Sequence, residues 1–169
     1  MKHFKTHLFA ALMFIGATSF TMAQSKIAHI NTGDLIEAMP QMKSAKTELE
    51  KLGKTYEAEI QKMATEYQNK MKQYQAEAET KTEEENQKRV QEVATIEQSI
   101  RQYQATAQED LQKKETELMK PLFEKAKAAI QKVARAQGFD YVLDSTQGGG
   151  VLLSDGKDLL ADVKKELGF

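Results

Sequence analysis

A reactive centre needs a nucleophile, a base, a set of metal ligands or a phosphate cradle, and few side chains in this 169-residue chain could supply one. Cysteine is absent, and beyond residues 1–23 the sole histidine is His29, so a thiol nucleophile, a paired-histidine zinc site and a thiolate cluster are excluded by inventory. His29 stands in a β-type run, KIAHIN at residues 26–31, where it reads better as a strand-face or interface residue than as a catalytic base. Glu83, Glu84 and Glu85 could in principle do acid–base work. They lie, however, in ETKTEEENQKR, residues 79–89, which has no large apolar side chain and reads as a solvated turn. The glycines at 148–150, followed by Gly156-Lys157, invite comparison with a phosphate loop. A Walker A motif needs four residues between its glycines and a Ser or Thr after the lysine; here five intervene after Gly150 and Asp158 follows. The glycine run is therefore read as a hairpin turn. No catalytic residue, metal site or cofactor is expected, and the chain is not expected to be an enzyme.

The opening stretch MKHFKTHLFAALMFIGATSFTMAQ places Lys2 and Lys5 before an apolar run, residues 8–20, and a small residue at Ala23. That is the pattern of a secretory signal peptide, which predicts removal of residues 1–23 and a soluble, exported protein in the periplasm. With no cysteine there is no site for a lipid anchor. Loss of Lys2 and Lys5 moves the formal charge from −1 to −3, which argues against a nucleic-acid partner.

The elements that could present a functional surface are mainly helical. Apolar residues recur three or four apart through Met42, Ala45, Leu49, Leu52, Tyr56, Ile60, Met63, Tyr67, Met71, Tyr74 and Ala78. The spacing predicts one helix of about 55 Å with a single apolar stripe. From Leu49 the steps favour a repeat of eleven rather than seven, hence a nearly straight pair. A turn near residues 80–82 would precede a second stripe through Val93, Ile96, Ile100, Tyr103, Ala107, Leu111, Leu118 and Leu122, giving an antiparallel hairpin. Beyond Met119, the residues Phe123, Ala126, Ile130, Val133 and Ala134 broaden the apolar surface, so the base of the hairpin should enter a packed body. Pro121 should kink this helix or start another, Pro40 separates a short helix at residues 33–39 from the first arm, and Gly138 caps the long helix.

Strand signals are confined to the two ends of this pattern: KIAHIN, then Tyr141-Val142-Leu143 and Val151-Leu152-Leu153 about the glycine turn, followed by an amphipathic helix over residues 158–167. Strands this short make no stable sheet alone, and their open edges invite pairing with another chain. The division expected is a signal at 1–23, an assembly body of 24–41 with 120–169, and a hairpin arm at 42–119 with its tip near 79–89.

IAHINTGDLIEAMP, the two arms, MKPLFEKAKAAIQKVARAQGFDYVLD and GGGVLLSDGKDLLADVKKEL together resemble the Skp/OmpH family of periplasmic chaperones across essentially the whole chain beyond residue 24. The most specific pieces are residues 27–39 and 129–167, with Gly138, Tyr141-Val142-Leu143-Asp144 and Asp158 in the family pattern. The resemblance implies a jellyfish-like homotrimer in which short strands form a small β-barrel body and three helical hairpins surround a cavity. Such a protein holds unfolded outer-membrane proteins without ATP. Ile27, Ile30, Tyr141, Val142, Leu143, Val151 and Leu152 would then form the trimer body. Tyr56, Met63, Tyr67, Met71, Tyr74 and Tyr103, which read first as hairpin core, would be the candidates for touching clients, since Met and Tyr suit adaptable apolar contact. Lipopolysaccharide binding, which the resemblance would attach to a strongly basic surface, is not carried over to this slightly acidic chain. The rival expectation is a periplasmic helical-hairpin adaptor bridging envelope complexes.

Overall fold

The computed structural model describes residues 25–169, so the predicted signal segment lies outside the described residues. β1 (Ile27–Ile30) leads into α1 (Thr32–Ala38), whose first turn is capped by the Asn31 side chain accepting from the Asp34 amide at 3.0 Å. Met39 is extended, and Pro40 opens α2 (Pro40–Glu77) where its missing N–H costs nothing. A single 3-10 turn, Ala78–Thr80, reverses the chain into α3 (Glu83–Ala136).

The acidic run has a structural task at this reversal. Thr82 and Glu85 form a reciprocal capping box, and Glu83, Glu84 and Glu85 occupy the first turn of α3, where carboxylates complement the helix dipole. Asn86 donates to the Ala78 carbonyl at 2.9 Å and satisfies the closing turn of α2. α3 runs unbroken through Pro121, so no second helix starts there. The proline is exposed, and water can take up the carbonyl that its ring deprives of a partner. Gly138, at φ +72°, ends the helix in a left-handed conformation.

β2 (Tyr141–Asp144) pairs parallel with β1 in the register Ile27–Tyr141 to Ile30–Asp144. The third strand corrects the sequence expectation: it is the two-residue β3 (Lys157–Asp158), parallel to β1 on its other side. Val151, Leu152 and Leu153 are in no strand, and the glycines at 148–150 do not close a hairpin. The reason is topological. β2 and β3 run in the same direction on opposite sides of β1, so residues 145–156 must be a crossover, which a tight hairpin cannot provide. α4 (Leu160–Leu167) completes the body, started by Asp158 accepting from the Leu160 amide at 2.8 Å.

The one large buried cluster lies at the hairpin root. Ala28 and Ile30 from the sheet, Leu35 and Met39 from around α1, Leu122, Ala126 and Val133 from α3, and Leu159 and Val163 near α4 form one buried cluster. Out along the arms, Leu49, Ile60, Tyr67 and Val93 are only half-buried, as expected where two helices pack with no third layer.

Candidate functional site: an open sheet face and the hairpin seam

In the β1–β2 register, side chains two apart share a face, so Ile27, His29, Tyr141 and Leu143 stand on one side of the sheet and Ala28, Ile30 and Val142 on the other. The second side faces the subunit's own helices: Ala28 and Ile30 are each 1% exposed, and Val142 packs against the same cluster. The first side is open, with Tyr141 58% exposed and Ile27 and Leu143 close behind. The residues predicted to form an assembly body are thus divided. Ile30 and Val142 stabilise the subunit, Ile27, Tyr141 and Leu143 present an uncovered apolar surface, and Val151 and Leu152 lie apart in the crossover, with Leu152 wholly exposed.

His29 fixes the frame of that face. Its Nε2 lies 3.2 Å from the Gly156 carbonyl and its Nδ1 3.3 Å from the Ser145 hydroxyl. A carbonyl only accepts, so Nε2 donates to Gly156. The imidazole therefore ties β1 to both ends of the crossover from its place in the strand.

At the end of β2, Asp144 accepts four hydrogen bonds: from the hydroxyls of Thr32 and Thr146 at 2.6 Å each, and from their amides at 3.3 and 3.0 Å. Burial works to raise its carboxyl, but these bonds outweigh it and hold the pKa at about 2. This clamp fastens β2 to the first turn of α1. Sequence reasoning noted Asp144 but missed Thr32 and Thr146, because turn threonines more than a hundred residues apart carry no local signal of meeting.

On the arms, three of the six candidate client residues are already committed across the seam. Tyr56 donates to Asp110 at 2.5 Å and meets Tyr103 edge-on with ring centroids 6.0 Å apart. Tyr74 donates to Glu92 at 2.5 Å, and the Arg89 guanidinium lies over its ring, 4.5 Å from the centroid, while pairing with Glu77. Hydrogen bonding to a carboxylate pushes both phenols, Tyr56 and Tyr74, up from their ordinary value. The bonds that Glu92 receives from Lys70 and Tyr74 push its carboxyl down. Met63 and Tyr67 are half-buried in the seam, whereas Met71 is 43% exposed. Near the tip, Tyr67, Met71, Val90 and Val93 line a shallow groove of about 690 Å³. Val90, just past the polar run, was overlooked as a surface residue. Its neighbours in sequence are polar, and only the folded hairpin brings it beside Met71.

Among the described residues, no group of three or more His, Asp or Glu side chains is placed to hold a metal ion, and no helix is long and apolar enough to cross a membrane.

A small parallel sheet with one uncovered face, carrying two long helices with a half-open seam, defines a helical-hairpin protein. The chain belongs to the OmpH-like outer membrane protein family, whose model matches residues 26–167. It is 30% identical over 163 residues to the chaperone protein Skp of Salmonella typhimurium, covering 96% of this chain and 99% of that one. Against the chaperone protein Skp of Pectobacterium atrosepticum the identity is 25% over 155 residues, with 92% and 93% covered. A crystal structure from Caulobacter crescentus, described as an OmpH-like outer membrane chaperone, superposes with a TM-score of 0.74 at 16% identity, covering 86% of this chain and 85% of that one. The last likeness establishes the fold, and the curated relatives support a chaperone role.

Proposed function

We propose that this protein is an ATP-independent holdase of the periplasm, a homotrimer that keeps unfolded outer-membrane β-barrel proteins soluble in a cavity between its helical arms. The observation that carries the reading is the open sheet face. A lone subunit leaves Ile27, Tyr141 and Leu143 uncovered at the hairpin root while burying Ala28 and Ile30 immediately behind them. Apolar surface of that kind, on a sheet of three short strands, is stabilised by closure with further copies. Three copies meeting there form a barrel body from residues 24–41 and 120–169, with arms of residues 42–119 projecting around a shared space. Export of this protein is supported by the signal-like pattern of residues 1–23.

Clients are held weakly at many points, because the arms carry one apolar stripe each and most of it is spent on the seam. Met71 and the tip groove beside it offer the most accessible apolar surface, with Tyr67, Met63 and the edges of Tyr56, Tyr74 and Tyr103 adding to it. Multivalency turns such contacts into retention. The acidic tip disfavours lipopolysaccharide as a ligand, since like charges face each other.

The test is dilution of a urea-unfolded outer-membrane β-barrel protein into buffer with and without the purified protein, free of nucleotide. Suppressed turbidity and co-elution support the reading. Unchecked aggregation contradicts it and turns attention to a folded envelope partner, as an adaptor would require.

A further inference from the structure

We infer that the sulfur of Met71 is a modification site: oxygen-transferring oxidants of the peroxide class convert it to the sulfoxide, and the change loosens the hold of the arm tips on unfolded chains. The consequence rests on the client-holding reading above, whereas the site itself rests on where the methionines stand. Met39 and Met42 are buried in the body, Met119 packs against the same cluster, and Met63 is half-closed in the seam. Met71, 43% exposed, is the one exposed methionine among the described residues, and it lines the open groove of about 690 Å³ near the tip. The chain has no cysteine, so no thiol of its own competes for an oxidant. Assembly at the root leaves the position free, since Met71 lies about 45 Å along α2 from Pro40.

The chemistry is a two-electron oxygen transfer. The thioether sulfur attacks one oxygen of hydrogen peroxide and gives up an electron pair. An S–O bond forms, the O–O bond breaks, and the second oxygen leaves as water with both protons. The sulfur is oxidised and the peroxide reduced, so the step needs no further reactant. An adaptable apolar side chain thereby becomes a polar one whose oxygen accepts hydrogen bonds. Met71 is one turn from Tyr67 and Tyr74 on α2 and shares its groove with Val90 and Val93 of α3, so the new oxygen sits in mainly apolar surroundings and is hydrated by solvent. An apolar client side chain that covers it must strip that water without replacing its hydrogen bond. The same loss falls on the tip of every arm, where retention depends on many weak contacts acting together.

The purified protein is treated with graded hydrogen peroxide, and the oxidised positions are read by peptide mass mapping. Oxygen should appear on Met71 about fivefold or more ahead of Met63 and Met119, and last on Met39 and Met42. At the stage where Met71 alone is oxidised, about threefold more protein should be needed to keep a urea-unfolded outer-membrane β-barrel protein soluble, with helix content unchanged. Reduction by methionine sulfoxide reductases A and B, which together act on both sulfoxide epimers, should restore the original requirement. Met71→Leu, whatever its own starting level, should show the same capture before and after the treatment. Met71→Gln, which places a polar group there without an oxidant, should lose capture. Oxidation of Met63 or Met119 ahead of Met71, or capture unchanged by the sulfoxide at Met71, overturns the inference and leaves the holdase reading standing. Untreated protein that lets the client aggregate overturns both, since there is then no hold for oxidation to loosen.

Discussion

The body and the arms of this molecule solve the same packing problem in opposite ways. In the body, Leu35, Leu159 and Val163 are wholly enclosed, and a saturated carboxylate, Asp144, joins segments more than a hundred residues apart. In the arms most apolar side chains stay half open, and the seam is supplemented by Tyr56–Asp110, Tyr74–Glu92, Arg89–Glu77 and Lys114–Glu48 at the surface. Enclosed packing gives one geometry, whereas a half-open seam with polar cross-links keeps its partners in register and leaves apolar edges available. Enclosed side chains are thus concentrated in the body, and half-open ones along the arms.

The largest effect should come from the buried side of the sheet. Ile30→Asp puts a charge into the subunit core and should cost several kcal/mol, about 3 or more, abolishing the cooperative thermal transition. On the opposite side, Tyr141→Asp should leave the subunit helical but prevent assembly, as circular dichroism and light scattering would show. If both variants unfold alike, the division of the sheet into two faces is wrong. Leu35→Ala, at a wholly enclosed position, should cost about 2–5 kcal/mol in denaturant melts.

The clamp at Asp144 should appear as a pH dependence. Its carboxyl is depressed from 3.8 to about 2 in the folded state, so the stability it adds is present above about pH 4 and lost as pH falls towards 2. Because the residue is partly exposed, about 1 kcal/mol is expected after allowance for screening, and Asp144→Asn should flatten the curve over that window.

Effects on the arms should be smaller. Tyr74→Phe removes the bond to Glu92 at an exposed seam and should cost about 0.5–1 kcal/mol with assembly unaffected. Gly53→Ala should stabilise α2 by about 0.5–1 kcal/mol, since an added Cβ meets nothing within 4 Å. A loss of client capture in this variant would show that the glycine serves as a joint.

The arms were legible because a spacing of three and four needs no partner to be read, and the turn was legible because residues 79–89 lack a large apolar side chain. Pro40 and Gly138 marked helix ends through their own backbone chemistry. The sheet was harder. β3 is only Lys157 and Asp158, too short and polar to show alternation, whereas Val151-Leu152-Leu153 has strand propensity and no strand partner within its chain. IAHI is apolar on both sides, so its pattern could not say that Ile30 faces the subunit core and Ile27 the open face.

Whether the body assembles and the arms hold a client can be read from the native mass of the purified protein, alone and after dilution of an unfolded outer-membrane β-barrel protein into it. The expected masses are those of three chains alone and of three chains with one client in the mixture. A subunit that stays monomeric in both, or a trimer that never gains the client's mass, would contradict it.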